Sequence, residues 1–227
     1  MKDLFVVYGS ESRLLSDIYE RKNTIFLKIF NNQIPLKIKN THFVNNISDF
    51  KAKFEELLLN FEFKRIIFLG AAFKNQNQLF FGEKIEDIRH MIDTNISKYV
   101  ELIHYILPFM LKKKSGQFIY LSSFRSQQTS KGTTIYSASK AFGEKFFEII
   151  GKEYASKGVF STSIRMGYFD GKMLEKMDTE ISKKLLQNIG LRRLGNGKDL
   201  VDTVEYIINN NYTNGSVIDL TGGINFN

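Results

Sequence analysis

The sequence contains no cysteine, no tryptophan and only two prolines among 227 residues. Without cysteine there can be no disulfide bond, thiolate metal site or cysteine nucleophile. A long hydrophobic run is also missing, because the most apolar window, residues 99–111, is interrupted by Glu101 and His104 and falls short of the ~20 residues of a spanning helix. Only five apolar residues precede Gly9, too few for a secretory signal. We therefore expect a cytoplasmic protein with no membrane contact.

The composition is that of an ordinary globular chain, with 43% hydrophobic and 25% charged residues. No repeat, linker or low-complexity tract divides it, so residues 1–227 are predicted to form a single domain. The net charge of +8 fits a nucleic acid, an acidic substrate or simple enrichment in lysine. No basic helix and no aromatic-basic RNA-binding motif accompanies it, so we expect no nucleic-acid partner.

Short β-branched and aromatic runs alternate with segments of helical period, which predicts βαβ units. Such units pair their strands in parallel through right-handed crossovers, with helices covering both faces of the sheet. The predicted fold is therefore α/β, a doubly wound parallel sheet of the Rossmann type with about seven strands. The predicted strands are residues 4–8, 24–30, 41–44, 64–69, 117–121, 159–164 and 216–220.

Two helices are strongly indicated, at residues 97–113 and 136–156. The first is predicted to bury a face that includes His104, so we expect a core histidine there. The second carries more phenylalanine and isoleucine than packing on one sheet requires. This surplus predicts a partner helix, and with it a homodimer or homotetramer.

A tyrosine and a lysine four residues apart open the second of these helices, Tyr136 and Lys140. At this spacing the ammonium lies near the phenol, and we expect it to lower the pKa of the tyrosine toward a range useful for proton transfer. Tyr168 and Lys172 repeat the spacing, so context decides. Only the first pair has a serine, Ser123, at the end of a predicted strand, where ligands bind in a doubly wound sheet.

Taken in order, the motifs resemble the short-chain dehydrogenase/reductase family in its single-domain form, similar to 3-oxoacyl-acyl-carrier-protein reductases. The resemblance covers nearly the whole chain. It is carried by the strand that leads to Ser123 (residues 116–123), the active-site helix (136–141) and the asparagine motif (93–96). It is also carried by the closing helix and the last strand, at residues 193–195, 199–200 and 214–223.

The resemblance implies roles for four residues. Tyr136 would be the general acid/base, and Ser123 would hydrogen-bond the substrate oxygen. Lys140 would lower the pKa of Tyr136 and hold the nicotinamide ribose, while Asn95 would position a water that joins Lys140 to solvent. Hydride transfer to a carbonyl requires one proton donor and one group that steadies the developing alkoxide.

The glycine-rich nucleotide loop departs from the family pattern, since only Gly9 matches one of its three glycines. Arg13 and Leu15 stand at the second and third glycine positions. A side chain at the second position keeps the backbone away from the pyrophosphate, and one at the third keeps the helix away from the sheet. Either the helix N-terminus still accepts the pyrophosphate with help from Arg13, or nucleotide binding is weakened or lost. We favour retention, because hydride transfer is the shared purpose of the four catalytic candidates.

The remaining cofactor contacts follow from the family's loops. Residues 69–72 replace an Asn-Asn-Ala-Gly motif, and Asn46 with Ile47 fills the Asp-Val position near adenine. No acid follows the second strand, whereas Arg13 and Lys28 suit a ribose 2′-phosphate, so NADP(H) is favoured over NAD(H). The predicted cofactor-binding residues are Gly9, Ser10, Ser12, Arg13, Leu14, Lys28, Asn46, Ile47, Gly70, Ala71, Ala72, Tyr136, Lys140, Gly167 and Phe169.

No metal site is expected, since His42, His90 and His104 lack metal-ligand spacing. The basic stretch at 171–196 takes the place of the family's substrate lid and would suit a phosphate-bearing substrate, such as a nucleotide sugar or an acyl carrier thioester, or a sugar acid. An enzyme that interconverts a carbonyl and a secondary alcohol is the leading prediction. The alternative is a non-catalytic or scaffold member with weakened nucleotide binding.

Overall fold

The computed structural model of the chain describes residues 1–9, 17–29, 40–71, 78–128, 130–170 and 179–224. Seven strands form one sheet in the order β3-β2-β1-β4-β5-β6-β7, and every neighbouring pair is parallel. All seven predicted strands are present. They are β1 (Lys2–Tyr8), β2 (Thr24–Ile29), β3 (Thr41–Val44), β4 (Phe63–Ala71), β5 (Gly116–Ser123), β6 (Val159–Met166) and β7 (Val217–Leu220).

Helices cover both faces of this sheet, which confirms the doubly wound Rossmann-type fold. The α-helices are α1 (Ile47–Asn60), α2 (Ile85–Ile92), α3 (Lys98–Lys113), α4 (Thr134–Tyr154), α5 (Thr179–Gln187) and α6 (Gly197–Asn209). α1, α3 and α4 bury apolar side chains against one face. α6 and a short 3₁₀ turn at Asp17–Glu20 cover the other. The central strands are buried on both faces, and all eight residues of β5 are buried.

The buried face of α3 differs from the predicted one. Tyr99, Leu102, Ile106 and Met110 point into the core, whereas His104 is exposed. The prediction of a core histidine was therefore wrong, because the helix is rotated by about one residue from the face that the apolar pattern favours. The rotation brings Tyr99 over the end of β4, where its ring matters for the site.

The strand order reverses between β1 and β4, so their carboxyl ends border the crevice in which doubly wound folds bind ligands. Gly9 leaves β1 with a φ of 100°, a conformation that side chains rarely adopt. This backbone conformation at the end of β1 therefore favours glycine. In the part of the chain that the structure describes, no helix has the length and apolar character needed to cross a membrane.

Candidate active site

Ser123 and Tyr136 meet at the carboxyl end of β5. Ser123 is the last residue of the strand, and its Oγ accepts a hydrogen bond from the Arg125 backbone N at 3.3 Å as the next turn begins. Tyr136 lies in the first turn of α4, and its side chain is hydrogen-bonded to that of Ser123. Two residues thirteen positions apart are thus in contact, as the family resemblance implied.

The protonation of Tyr136 differs from the prediction. Burial raises the pKa of the phenol, while the hydrogen bond with Ser123 and the positive charge of Arg125 act in the opposite direction. The net shift is therefore upward, opposite to the lowering that the Tyr-x-x-x-Lys spacing predicts. Desolvation of the phenolate outweighs the nearby charges, so Tyr136 holds its proton at neutral pH.

Lys140 lies one helical turn further along α4 and is 3% exposed. Its Nζ donates a hydrogen bond to the Leu121 carbonyl oxygen of β5 at 2.6 Å, and lies 5.7 Å from the ring centroid of Tyr136. Burial lowers the pKa of Lys140 to about 7, and the charge of Glu144 opposes this shift. The ammonium therefore sits beneath the tyrosine and titrates near neutral pH.

Asn95 joins the same helix from the opposite side of the crevice. It lies in a π-helical turn, Asp93–Ser97, between α2 and α3, and it is buried. Its Nδ2 donates to Ser139 Oγ at 3.0 Å, and Ser139 Oγ donates to the Tyr136 carbonyl oxygen at 2.8 Å. Single π-helical turns often occur at functional sites. All four predicted catalytic residues therefore gather around the first two turns of α4.

Tyr99 explains the glycine that replaces the family's asparagine at position 70. A Cβ placed on Gly70 would lie 2.4 Å from Tyr99 Cε1 and 2.8 Å from its hydroxyl oxygen, so the phenol fills the space of a side chain there. The rings of Tyr8 and Tyr120 pack on Tyr99 at centroid distances of 4.7 and 5.6 Å. Sequence reasoning missed this cluster, although the glycine at position 70 departs from the family pattern.

The tyrosine cluster also connects the strands to the catalytic residues. Tyr8 donates a hydrogen bond to the Thr94 carbonyl oxygen at 2.7 Å, which ties the end of β1 to the turn that carries Asn95. The hydroxyls of Tyr99 and Tyr120 are buried and find no hydrogen-bond partner within the described ranges. Lys140 Nζ lies 5.2 Å from the ring centroid of Tyr120. A buried aromatic layer thus supports the site from below.

The predicted cofactor residues of the first two strands are only partly described. Ser10, Ser12, Arg13 and Leu14 lie outside the described residues, as does Ala72 of the fourth-strand loop. Lys28 is buried in β2 with its Nζ 5.9 Å from the ring centroid of Tyr19, so it is not a solvated lysine at the end of a strand.

The other predicted cofactor residues lie along the carboxyl edge of the sheet. Ala71 ends β4, and Ile47 begins α1 behind Asn46. Asn46 caps α1, because its Oδ1 accepts from the Asp49 backbone N at 2.8 Å. Gly167 is the first residue after β6, and a Cβ placed on it would lie 2.8 Å from the Thr221 Cα. Phe169 forms a parallel β-bridge with Gly195.

A charged cluster next to the site was not predicted. Glu144, on α4, forms an ion pair with Arg165 of β6 in which Arg165 Nη2 lies 2.8 Å from Glu144 Oε2. The hydroxyls of Ser122 and Ser126 also donate to this carboxylate. A serine on each side of Ser123 was the available signal. The described residues contain no group of three or more histidine, aspartate or glutamate side chains placed to hold a metal ion.

Comparison with known proteins places this arrangement in a family. Residues 47–182 match the sequence model of the short chain dehydrogenases, a match that begins after the altered nucleotide loop. The 3-oxoacyl-[acyl-carrier-protein] reductase FabG of Buchnera aphidicola is 27% identical over 183 residues, which cover 80% of this chain and 75% of that protein. FabG of Staphylococcus aureus strain Mu50 is 26% identical over 183 residues, covering 80% of this chain and 74% of its own.

Solved structures show the same fold at lower sequence identity. The structure of ElxO with NADP bound superposes with a TM-score of 0.83 at 17% identity, and the match covers 98% of both chains. The strands that flank the altered loop therefore keep the family's architecture, even though the sequence match starts beyond them. The protein belongs to the short-chain dehydrogenase/reductase family, whose members are NAD(P)-dependent oxidoreductases.

Proposed function

We propose that this enzyme interconverts a carbonyl and a secondary alcohol with NADP(H), and that Tyr136 moves the proton. The observation that carries the proposal is the Tyr136 hydroxyl, hydrogen-bonded to Ser123 and placed over the buried Lys140 at the carboxyl edge of the sheet. A proton donor and a cation one helical turn apart on α4, with a second hydroxyl at the end of β5, are the groups that carbonyl reduction needs.

The described residues fit a dinucleotide. Gly9 keeps the positive φ of the first turn, and the carboxyl ends of β1 and β4 border the crevice at the reversal of strand order. A bound nicotinamide would supply or accept the hydride. Lys140 and Asn95 are held by Leu121 and Ser139 respectively, so neither has to move into place before a ribose can be bound.

In the direction of reduction, Ser123 Oγ hydrogen-bonds the carbonyl oxygen and Tyr136 gives its proton to the alkoxide that forms. The raised pKa of Tyr136 suits this direction, because the free protein carries the proton that must be given. Once the proton has left, the Lys140 ammonium stabilises the phenolate electrostatically. In the direction of oxidation, the phenolate is the base, and the same ammonium favours its formation.

The preference for NADP(H) rests on charge at the carboxyl end of β2. Residues 28–32 contain no acid to accept from a ribose 2′-hydroxyl, and Lys28 and Arg13 offer positive charge for a 2′-phosphate. The ElxO structure of the same fold contains NADP. We propose that Arg13 is the main contact with the phosphate, with Lys28 beneath it in β2.

The test compares carbonyl reduction by the wild type with that by Tyr136→Phe, following NADPH consumption with acetoacetyl thioesters and keto sugar acids as probes. Loss of the hydroxyl is expected to lower kcat roughly 10²- to 10⁴-fold, the usual contribution of a general acid. Nucleotide binding should persist, because the other predicted cofactor contacts are retained.

Tyr154→Phe, at the other end of α4, is the matched control and should leave kcat unchanged. Retention of full activity by Tyr136→Phe would contradict the assignment of the proton donor.

A further inference from the structure

The carboxyl end of β5 is held against α4 by three successive turns of the helix. Tyr136 is hydrogen-bonded to Ser123, Lys140 donates to Leu121, and Glu144 accepts from Ser122. Side chains four residues apart on a helix lie one above the other, so these three form a single row. The row continues the Tyr-x-x-x-Lys spacing by one turn.

Glu144, the third residue of this row, accepts hydrogen bonds from residues on both sides of Ser123. Glu144 Oε1 accepts from Ser122 Oγ at 2.6 Å and from Ser126 Oγ at 2.6 Å. The two serines lie on either side of the Ser123–Arg125 segment, so one carboxylate oxygen fixes both of its ends. Ser123 is therefore positioned by contacts that it does not itself make.

Arg165 holds the carboxylate from the far side. Its Nη2 and Nε lie 2.8 and 3.1 Å from the two oxygens of Glu144, and its Nη1 lies 2.8 Å from Asp219 Oδ1 on β7. The side chains of Glu144 and Arg165 are 12% and 7% exposed. Burying such a pair costs desolvation that apolar residues would avoid, so its presence at this place indicates a role in defining one arrangement.

We propose that Glu144, clamped by Arg165, is a positioning residue for the hydride-transfer site, fixing Ser123 through Ser122 and Ser126 and supplying the negative charge that faces Lys140. The proposal deepens the function proposed above and rests on it. Glu144 contacts neither the reacting atoms nor the expected cofactor in this account, and it acts through Ser123 and Lys140.

The charges around Lys140 determine what removal of Glu144 should do. Lys140 Nζ lies 5.2 Å from the ring centroid of Tyr120 on β5 and 5.7 Å from that of Tyr136 on α4, and burial raises the pKa of both phenols, so both are neutral near pH 7. Arg165 pairs with both Glu144 and Asp219, and the positive charge of Arg125 acts on Tyr136. Glu144 is the charge that keeps the pKa of Lys140 from falling further under burial.

The experiment replaces Glu144 with glutamine, whose amide oxygen can still accept from the serines while the negative charge is lost. Glu148→Gln is the matched control, because Glu148 lies one turn further along α4 and pairs with the exposed Lys145 and Lys152. Two readouts are recorded for each variant. One is the pH dependence of kcat/KM for carbonyl reduction, and the other is the titration of Lys140 by NMR of lysine-labelled protein, assigned with Lys140→Arg.

Glu144→Gln is expected to move the titration of Lys140 and the alkaline limb of kcat/KM to lower pH together. A displacement of one pH unit corresponds to about a tenfold loss of kcat/KM on that limb. Glu148→Gln should leave both unchanged. If the unpaired Arg165 prevents folding, Glu144→Gln with Arg165→Met removes both charges and is expected to show a smaller displacement in the same direction, because loss of the Arg165 cation partly offsets loss of the carboxylate.

The proposal would be overturned if a folded Glu144 variant kept the alkaline limb of its kcat/KM profile unchanged. It would also be overturned if the titration of Lys140 shifted while the alkaline limb did not. If the wild type binds no NADPH and reduces no carbonyl, the proposed function has failed. The titration of Lys140 then decides alone whether Glu144 supplies the opposing charge.

Discussion

Lys140 is a lysine that the fold buries, and no carboxylate of the described residues forms an ion pair with it. Its Nζ is bonded to the Leu121 carbonyl oxygen, and burial lowers the pKa to about 7 from an ordinary value of 10.5. Below pH 7 the folded protein must bury a full charge, whereas the unfolded chain exposes it to water. Burial of Lys140, which the proposed chemistry uses, is therefore a cost to stability at neutral and acidic pH.

Replacing Lys140 with methionine tests this cost. Between about pH 7 and 10.5 the unfolded chain binds more protons than the folded one, so the stability of the wild type rises with pH relative to the variant. The free energy of unfolding of Lys140→Met minus that of the wild type is expected to fall by about 1 kcal/mol or more between pH 6 and pH 9.5. Urea denaturation at several pH values measures it.

Lys145→Met is the control, since its side chain is 68% exposed. Its difference from the wild type should vary little over the same range. A difference for Lys140→Met that is constant with pH would contradict the lowered pKa, whatever its absolute size.

At this scale the sequence predicted which candidate side chains lie together but not their energetics. Asn95, Ser123, Tyr136 and Lys140 follow from motif and spacing, and the structure brings them together. The direction of the Tyr136 pKa could not follow, because it depends on how deeply the fold buries the phenol. Glu144 was also missed, since its partner Arg165 is distant in the sequence and only the sheet brings the two together.

The contact between α4 and β5 sets the height of the catalytic helix above the sheet. Gly143 faces the ring of Tyr120, and a Cβ on this glycine would lie 2.2 Å from Tyr120 Cζ. Real side chains do not approach so closely, so the helix can lie at this depth only with glycine there. Lys140 is on the same stretch of helix and depends on that depth to reach the Leu121 carbonyl.

Gly143→Ala is accordingly expected to destabilise the protein, although alanine is favoured over glycine in a helix by about 1 kcal/mol. Overpacking of a tight contact costs ~1–3 kcal/mol, and the clash here is severe. Urea denaturation should show the loss, and kcat should fall as Lys140 is displaced. Combining Gly143→Ala with Tyr120→Leu should recover part of the stability, and a stabilised single variant would refute the packing argument.

The helices show where periodicity is informative and where it fails. The positions of α3 and α4 agree with the predicted segments to within about two residues at most ends. The buried face of α3 was misplaced, because apolar side chains surround much of this helix and the pattern alone does not select one face. Gly70 on β4 determines which face of α3 is buried, because the ring of Tyr99 fills the space that a side chain at position 70 would occupy.

At the scale of the whole molecule, the strands were predicted most completely. Each is a short apolar run between turn residues, and a parallel sheet buried on both faces requires such runs. The order of the strands in the sheet was not predicted, because no single segment of the sequence determines which strands become neighbours. The altered glycine-rich loop is the opposite case, because its residues do not match the family's motif although the strands on either side of it form the predicted fold.

Apolar surface remains on α4 after the core is formed. Phe142 and Ile149 are 38% and 45% exposed, and Phe142 stacks on Phe146 with ring centroids 5.8 Å apart. Val100, on α3, is also exposed. We expect these side chains to be covered by a second copy of the chain in a homodimer or homotetramer.

Light scattering coupled to size exclusion tests the assembly. The wild type should elute as a dimer or tetramer, and the double variant Phe142→Glu with Ile149→Lys should shift toward the monomer with its helical content intact. A wild-type monomer at tens of micromolar would show that this surface serves another purpose.

The central claim, that the protein is a working NADP(H) oxidoreductase despite its altered glycine loop, is tested most directly by calorimetric titration of NADPH and NADH. We predict that NADPH binds with a Kd below about 1 mM, that NADH binds more weakly, and that Tyr136→Phe still binds NADPH. Absence of binding for both nucleotides at that concentration would contradict the account.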